Sequence, residues 1–226
     1  MVGTRKLTME GKKASLSFSY DAAKDGVNVV SGLARGADAA VHQGAVNAYF
    51  DYIEQKKELS SLGKTIAVLP SGIDNIFPVA HKKLAENILK SGGCIISEYE
   101  PGEAPQKYQF VARNRIIAGL SDSTLVVEAP PGSGALITAD FALDYGRDVY
   151  FHKAAFSSPA MAISKQTKLE LSKLFATGRV SKYKLENTPK KYLDAGAPVV
   201  NDYQDFCLAK TESPGSRSFC SKQEKK

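Results

Sequence analysis

Along the chain, short unbroken apolar runs alternate with stretches where apolar residues recur every three or four positions. The runs at 27–30, 65–69, 94–97, 124–127 and 148–151 are too short for helices and are bounded by glycine, proline or serine, which predicts strands. Between them, 37–59, 80–89, 113–120 and 135–145 carry helical spacing, with Gly92-Gly93 and Gly146 as stop signals. Strands that lack polar alternation are buried on both faces, as in a parallel sheet covered by helices. The predicted class is α/β, with a doubly wound, mostly parallel sheet of extended Rossmann-like form, in which ligands sit beyond the carboxyl ends of the strands. The glycine-rich turns fall at those ends.

The alternation breaks over 153–186. There 160–176 predicts one amphipathic helix with Met161, Ile163, Leu169, Leu171, Leu174 and Phe175 as its apolar positions, ending near Gly178. A helix-turn-strand pattern resumes over 191–205. Residues 209–226 are polar and predict a disordered tail. The expected organisation is one domain over 1–208, with 153–186 inserted.

Charge sharpens this division. The 226 residues carry a formal net charge of +6, but 1–152 sums to −1, 153–194 to +6, 195–208 to −2 and 209–226 to +3. The basic surplus therefore lies outside the part that carries the strand-turn-helix units, and bulk charge does not identify a nucleic-acid surface in the body. No run approaches membrane-spanning length, and the first ten residues have no apolar signal segment. Cys94, Cys207 and Cys220 are too few and scattered for a disulfide frame or a zinc site. These features predict a soluble, cytoplasmic protein.

Four segments carry candidate chemistry. Gly3-Thr4-Arg5 offers a hydroxyl and a guanidinium fork to a phosphate. In 31–38 (S-G-L-A-R-G-A-D), Ser31, Gly32 and Gly36 sit in a strand-to-helix turn whose helix start attracts anions, although the pattern is not the dinucleotide fingerprint. In 101–121, Lys107, Arg113 and Arg115 are interleaved with Tyr108 and Phe110, the mixture of cations and stacking faces that grips single strands. Because Arg113 and Arg115 are two apart, they point differently on a helix, and one of them is expected to serve structure through Glu98 or Glu128. Glu128 precedes P-P-G-S-G, where Ser133 and Gly134 open another helix start. His42, His81 and His152 show no metal spacing and read as satisfied or exposed.

Taken in order, these segments resemble the DNA-processing protein DprA (Smf) family. The similarity rests on Gly3-Thr4-Arg5, V-V-S-G-L-A-R-G-A-D at 29–38 with His42, 65–74 with Phe77-Pro78, Ser97-Glu98, Phe110 with R-N-R-I-I-A-G-L-S at 113–121, and L-V-V-E-A-P-P-G-S-G-A-L-I-T at 125–138. It covers about 1–151 and resumes at 193–205. The resemblance implies a homodimeric, non-catalytic protein of natural transformation that binds and protects single-stranded DNA and loads RecA recombinase, without a cofactor. Arg5, Ser31, Gly32 and Lys107 would line a phosphate pocket and Phe110 would stack on a base, with Gly3, Thr4, Gly36, Ser133 and Gly134 around them and Arg113 a weaker contact. Three departures stand out. Only Met1 and Val2 precede the Gly-Thr-Arg turn, where the family places a longer central strand, so ladder groups are expected to go unpaired. The helix after Asp38 is extended, and 153–186 is inserted.

Two other readings compete. One is a nucleotide phosphoribohydrolase-like enzyme on a related scaffold, with Glu128 or Glu98 as acid or base, although 133–140 lacks the glutamate of that family. The other is a shortened, inactive copy kept for protein contacts through 160–176.

Overall fold

The computed structural model describes residues 1–212. Six strands form two three-stranded parallel sheets. The first is ordered β1-β2-β3, from Val29–Ser31, Thr65–Val68 and Cys94–Ile96; the second is ordered β4-β5-β6, from Ser123–Val126, Asp148–His152 and Val199–Val200. Val2 lies between them. It forms a parallel bridge to Val126, its N–H donates to Leu125 O at 2.9 Å, and its own carbonyl accepts from Val127 N at 2.9 Å. On the other side, the Met1 amine donates to Val30 O at 2.8 Å. Two residues thus do the joining expected of a longer central strand, which gives the doubly wound, Rossmann-like arrangement that the apolar runs predict.

Helices cover both faces. On one, α1 (Met9–Lys24), α2 (Ala37–Glu54) and α10 (Tyr203–Glu212) bring Phe18, Val41 and Tyr203 onto Leu125 and Tyr150. On the other, α5 (Asn114–Gly119), α6 (Gly134–Asp144) and α9 (Pro189–Asp194) bring Ile117, Leu136 and Tyr192 onto Val126 and Phe151. α3 (Lys82–Lys90) packs Ala85 and Ile88 beneath Ala67, and the short α4 (Gln109–Ala112) precedes α5.

Several boundaries differ from the sequence expectation. Periodicity gives no sign of α1, because its buried positions are Gly11, Ala14, Ser15, Phe18, Ser19, Ala22 and Ala23: the spacing is helical but the residues are small. Segment 153–186, expected as an insertion, contains α7 (Ser158–Ala176) and α8 (Lys182–Glu186). The expected tail boundary at 208 falls inside α10, which runs to Glu212. The rest of that tail, 213–226, lies outside the described residues. Among the described residues, no helix is long and apolar enough to cross a membrane.

Candidate nucleic-acid interface

The turns at the strand ends converge as the topology requires. Residues 3–5 lie across the start of α2: Thr4 N donates to Glu128 O at 2.7 Å, and Thr4 O accepts from Ala37 N at 3.1 Å. Gly3 and Gly36 are small because these backbones touch. A Cβ on Gly3 would stand 2.5 Å from that of Ala37, and Gly36 has φ +81 with its α-carbon against Thr4 and Arg5. The Thr4 hydroxyl accepts from Lys6 N at 3.1 Å and closes the turn that projects Arg5 into solvent.

The Arg5 guanidinium lies over the Phe110 ring, 5.0 Å from its centroid, and Phe77 meets the same ring edge-on at 5.6 Å. Phe110 opens the half-exposed side of α4, three residues after the exposed Lys107. Neither Arg5 nor Lys107 has an ion-pair partner among the described residues. Arg5, Phe110 and the partly exposed Phe77 thus meet in one rim, and the exposed Lys107 precedes it by three residues in the chain.

Beneath the rim the structure corrects the placement of Arg113. Its guanidinium, 3% exposed, donates to the carbonyls of Gly32 and Val68 and stands 3.7 Å from Asp38. Burial lowers its pKa and Asp38 opposes that shift. Arg113 fills the space that a side chain at Gly32 would need, so it supports the turn from below and presents no donor to solvent. Arg115 is the exposed member of the pair and bonds Glu98.

The turn 31–36 is held by residues that sequence reasoning set aside. Leu33 has φ +57, a left-handed conformation that a branched side chain adopts only under constraint. Its N–H donates to His42 Nε2 at 3.3 Å. His42 Nδ1 therefore carries the proton and faces Thr65 Oγ1 at 2.7 Å, and that hydroxyl donates in turn to Val29 O at 3.0 Å. On the other side, Leu33 O accepts from His81 Nδ1 at 2.8 Å. Burial, reinforced by the nearby amino terminus and Arg113, lowers the His42 pKa to about 3 and keeps the ring neutral. Asp38 and His42 sit one helical turn apart on the buried face of α2, and that spacing is the signal available in the sequence. Ser31 Oγ is fully buried and has no hydrogen-bond partner among the described residues.

The second glycine turn is occupied differently. Ser133 Oγ accepts from Ala135 N at 3.1 Å and caps α6. Gly134 O accepts from Asn114 Nδ2 at 3.2 Å and from the Thr138 hydroxyl at 3.3 Å. Glu128, considered above as an acid or base, is 2% exposed. Its carboxylate accepts from Thr8 N at 3.0 Å and from the Thr8 hydroxyl, while that hydroxyl oxygen accepts from Gly11 N at 3.0 Å to cap α1.

A parallel sheet covered by helices on both faces, with Arg5 stacked on Phe110 at its strand-end turns, defines a Rossmann-like α/β protein. The chain belongs to the DNA recombination-mediator protein A family, whose model it matches over residues 1–172. It is 41% identical over 156 residues to Protein Smf of Borreliella burgdorferi, covering 69% of this chain and 46% of that protein. It is 40% identical over 150 residues to the DNA processing protein DprA of Streptococcus pneumoniae, covering 66% and 48%. The X-ray structure of the Streptococcus pneumoniae protein superposes with a TM-score of 0.64 at 31% identity, covering 92% of this chain and 59% of that one. DNA processing protein A from Helicobacter pylori, studied for its single-stranded DNA binding mode, has the same fold: the TM-score is 0.65 at 24% identity, covering 93% of this chain and 79% of that one. The chain spans about half the length of the curated relatives it matches.

Proposed function

We propose that this chain binds single-stranded DNA without sequence readout, as part of a DNA-processing role in recombination. The carrying observation is the Arg5 guanidinium over Phe110, backed by Phe77 and free of any carboxylate among the described residues. Arg5 and Lys107 supply charge to two phosphates and Phe110 supplies a stacking face for a base, which together grip a strand and leave base edges unread. Family membership supports the same reading and extends it to delivery of the strand to RecA and to a homodimeric state. Ser31, Gly32, Gly36, Ser133 and Gly134 act through backbone shape around this rim.

Oligo-dT binding across a salt series tests the reading. Arg5→Ala and Lys107→Ala are each expected to lower the log–log salt slope by about 0.7, one released counterion on a single strand. Phe110→Ala is expected to cost about 1–3 kcal/mol with little change in slope. If all three variants bind as the parent does at every salt concentration, the rim is not the site.

A further inference from the structure

The inserted arm, α7 with α8, is built unlike the rest of the molecule. α7 runs 19 residues, about 28 Å at 1.5 Å per residue, yet it buries only Ala160 and Leu171. Its other contacts are shallow and sit on one side, through Ile163, Ser164, Thr167 and Leu174. The arm carries Lys165, Lys168, Lys173, Arg179, Lys182 and Lys184 against Glu170 and Glu186. Only Lys182 reaches a carboxylate among the described residues, Glu186 at 3.6 Å, and Glu170 bonds Gln166 at 2.9 Å. Five cations therefore stand without an ion-pair partner among the described residues. Folding gains little from them there, since self-repulsion opposes such crowding.

Their position connects them to the rim. Ile163 and Ser164 line one small crevice together with Thr4 and Lys6, so the early turns of α7 stand against the residue that follows Arg5. Lys168 lies one turn beyond Ser164 on the same side of the helix, and Lys165 is adjacent. At the far end, Gly132 fits against Lys184, where a Cβ would approach the Lys184 carbonyl at 2.7 Å, and Gly132 N donates to Asn187 O at 2.8 Å. Lys6, next to Arg5 in the chain, thus stands against the first turns of α7, and the exposed Lys165 and Lys168 follow on that helix.

We propose that the arm is a second phosphate-binding surface that carries a single strand onward from the rim and lengthens the footprint of the protein on DNA. This proposal rests on the single-strand reading above. The arm's cations are lysines apart from Arg179. Ammonium groups act as point charges with no preferred fork geometry, so they suit a strand held by charge alone, strongly salt-dependent and free to slide.

The test uses the full chain and oligo-dT of about 6 and about 30 nucleotides, lengths that bracket a single compact binding site. The variant K165Q/K168Q/K173Q changes exposed positions only, and its far-UV spectrum is expected to match the parent. On the long oligomer it is expected to lower the salt slope by about 2, three counterions at about 0.7 each, and to weaken binding at least tenfold at low salt; the short oligomer binds unchanged. An unchanged slope and affinity on the long oligomer overturns the proposal and leaves a protein partner for the arm. An equal loss on the short oligomer also overturns it, because the lysines then act through the general field. R5A/K107A run in parallel separates the two readings. If that variant binds the short oligomer as the parent does while the lysine variant loses only the long one, the arm stands and the rim reading falls. A parent chain that binds neither oligomer overturns both.

Discussion

Helices α2 and α7 are nearly equal in length, 18 and 19 residues, yet α2 buries nine residues and α7 two. α2 packs Val41 and Val46 onto the strands and Ala45 and Ala48 against Ala23 of α1, and its Asp38 and His42 reach down to Arg113 and Leu33. Its position fixes the turn that carries Gly32 and Gly36. α7 touches the body only along one narrow side, with Ala160 and Leu171 buried. Ser157 caps its start, accepting from Ala160 N at 3.4 Å. Past its end, Tyr183, Asn187, Lys191 and Tyr192 all gather on Asp140 of α6. Partial burial raises the Asp140 pKa, but bonds from Tyr183, Tyr192 and Lys191 outweigh it and the net shift is downward. One helix is a structural element that shapes a site; the other is a surface displayed on that structure. The difference divides stability from contact area, and each side can be probed separately.

The largest expected effect is at the base of α2. Arg113→Met leaves Asp38 buried without its cation and two carbonyls without a donor, a loss of about 3–5 kcal/mol in urea unfolding. Arg113→Lys is expected to recover little, since a single ammonium cannot span Gly32, Val68 and Asp38. If Arg113→Met unfolds at the parent's urea midpoint, the buried support is not what holds the turn.

On the arm, Leu171→Ala removes the one large buried side chain of α7, at a local cost of about 2 kcal/mol. The expected reading is faster proteolysis within 158–186 while the core transition moves little. Equal movement of both would make α7 part of the core after all.

Near neutral pH the smallest effect is a pH dependence confined to the α2 side, which grows as the solution is acidified. The folded His42 pKa is about 3, below the roughly 6.5 of an unfolded histidine. Between those values the unfolded chain binds the extra proton. The stability from neutral His42 is therefore complete above about pH 6.5 and is lost as pH falls toward 3, at no more than about 1.4 kcal/mol per pH unit. His42→Gln should flatten that acid limb in urea titrations between pH 4 and 8. A slope the same as the parent's would place the titration elsewhere.

The strand-end turns were legible because glycines follow short apolar runs, and the helix at 160–176 because apolar residues recur along it, although Met161, Leu169 and Phe175 among them are exposed. The predicted 160–176 differs from Ser158–Ala176 by two residues at its start. α1 was not legible, since a helix packed through Gly, Ala and Ser offers periodicity of size and none of hydropathy. The rim residues Arg5, Lys107 and Phe110 were found by residue type and resemblance, whereas Phe77, which completes the aromatic contact, comes from a separate loop. Arg113 and Arg115 were correctly expected to diverge, but the carboxylate that fixes Arg113 is Asp38, 75 positions away, and no local pattern reports that. The histidines were read as satisfied or exposed for lack of metal spacing, but that His42 and His81 both bond the backbone of Leu33 is something composition cannot show.

The bond between Thr8 and Glu128 spans 120 positions, and it has a consequence in time. During synthesis at about 5–20 residues per second, roughly 6–24 s separate the emergence of these partners. Through that interval the start of α1 and the bridge at Val2 have nothing to close on. The β1-β2-β3 half can condense from nearby segments, but the seam between the halves waits for β4. Residues 2–8 are therefore among the last to settle although they emerge long before Glu128, and maturation of the Arg5 rim keeps pace with the later half of the fold.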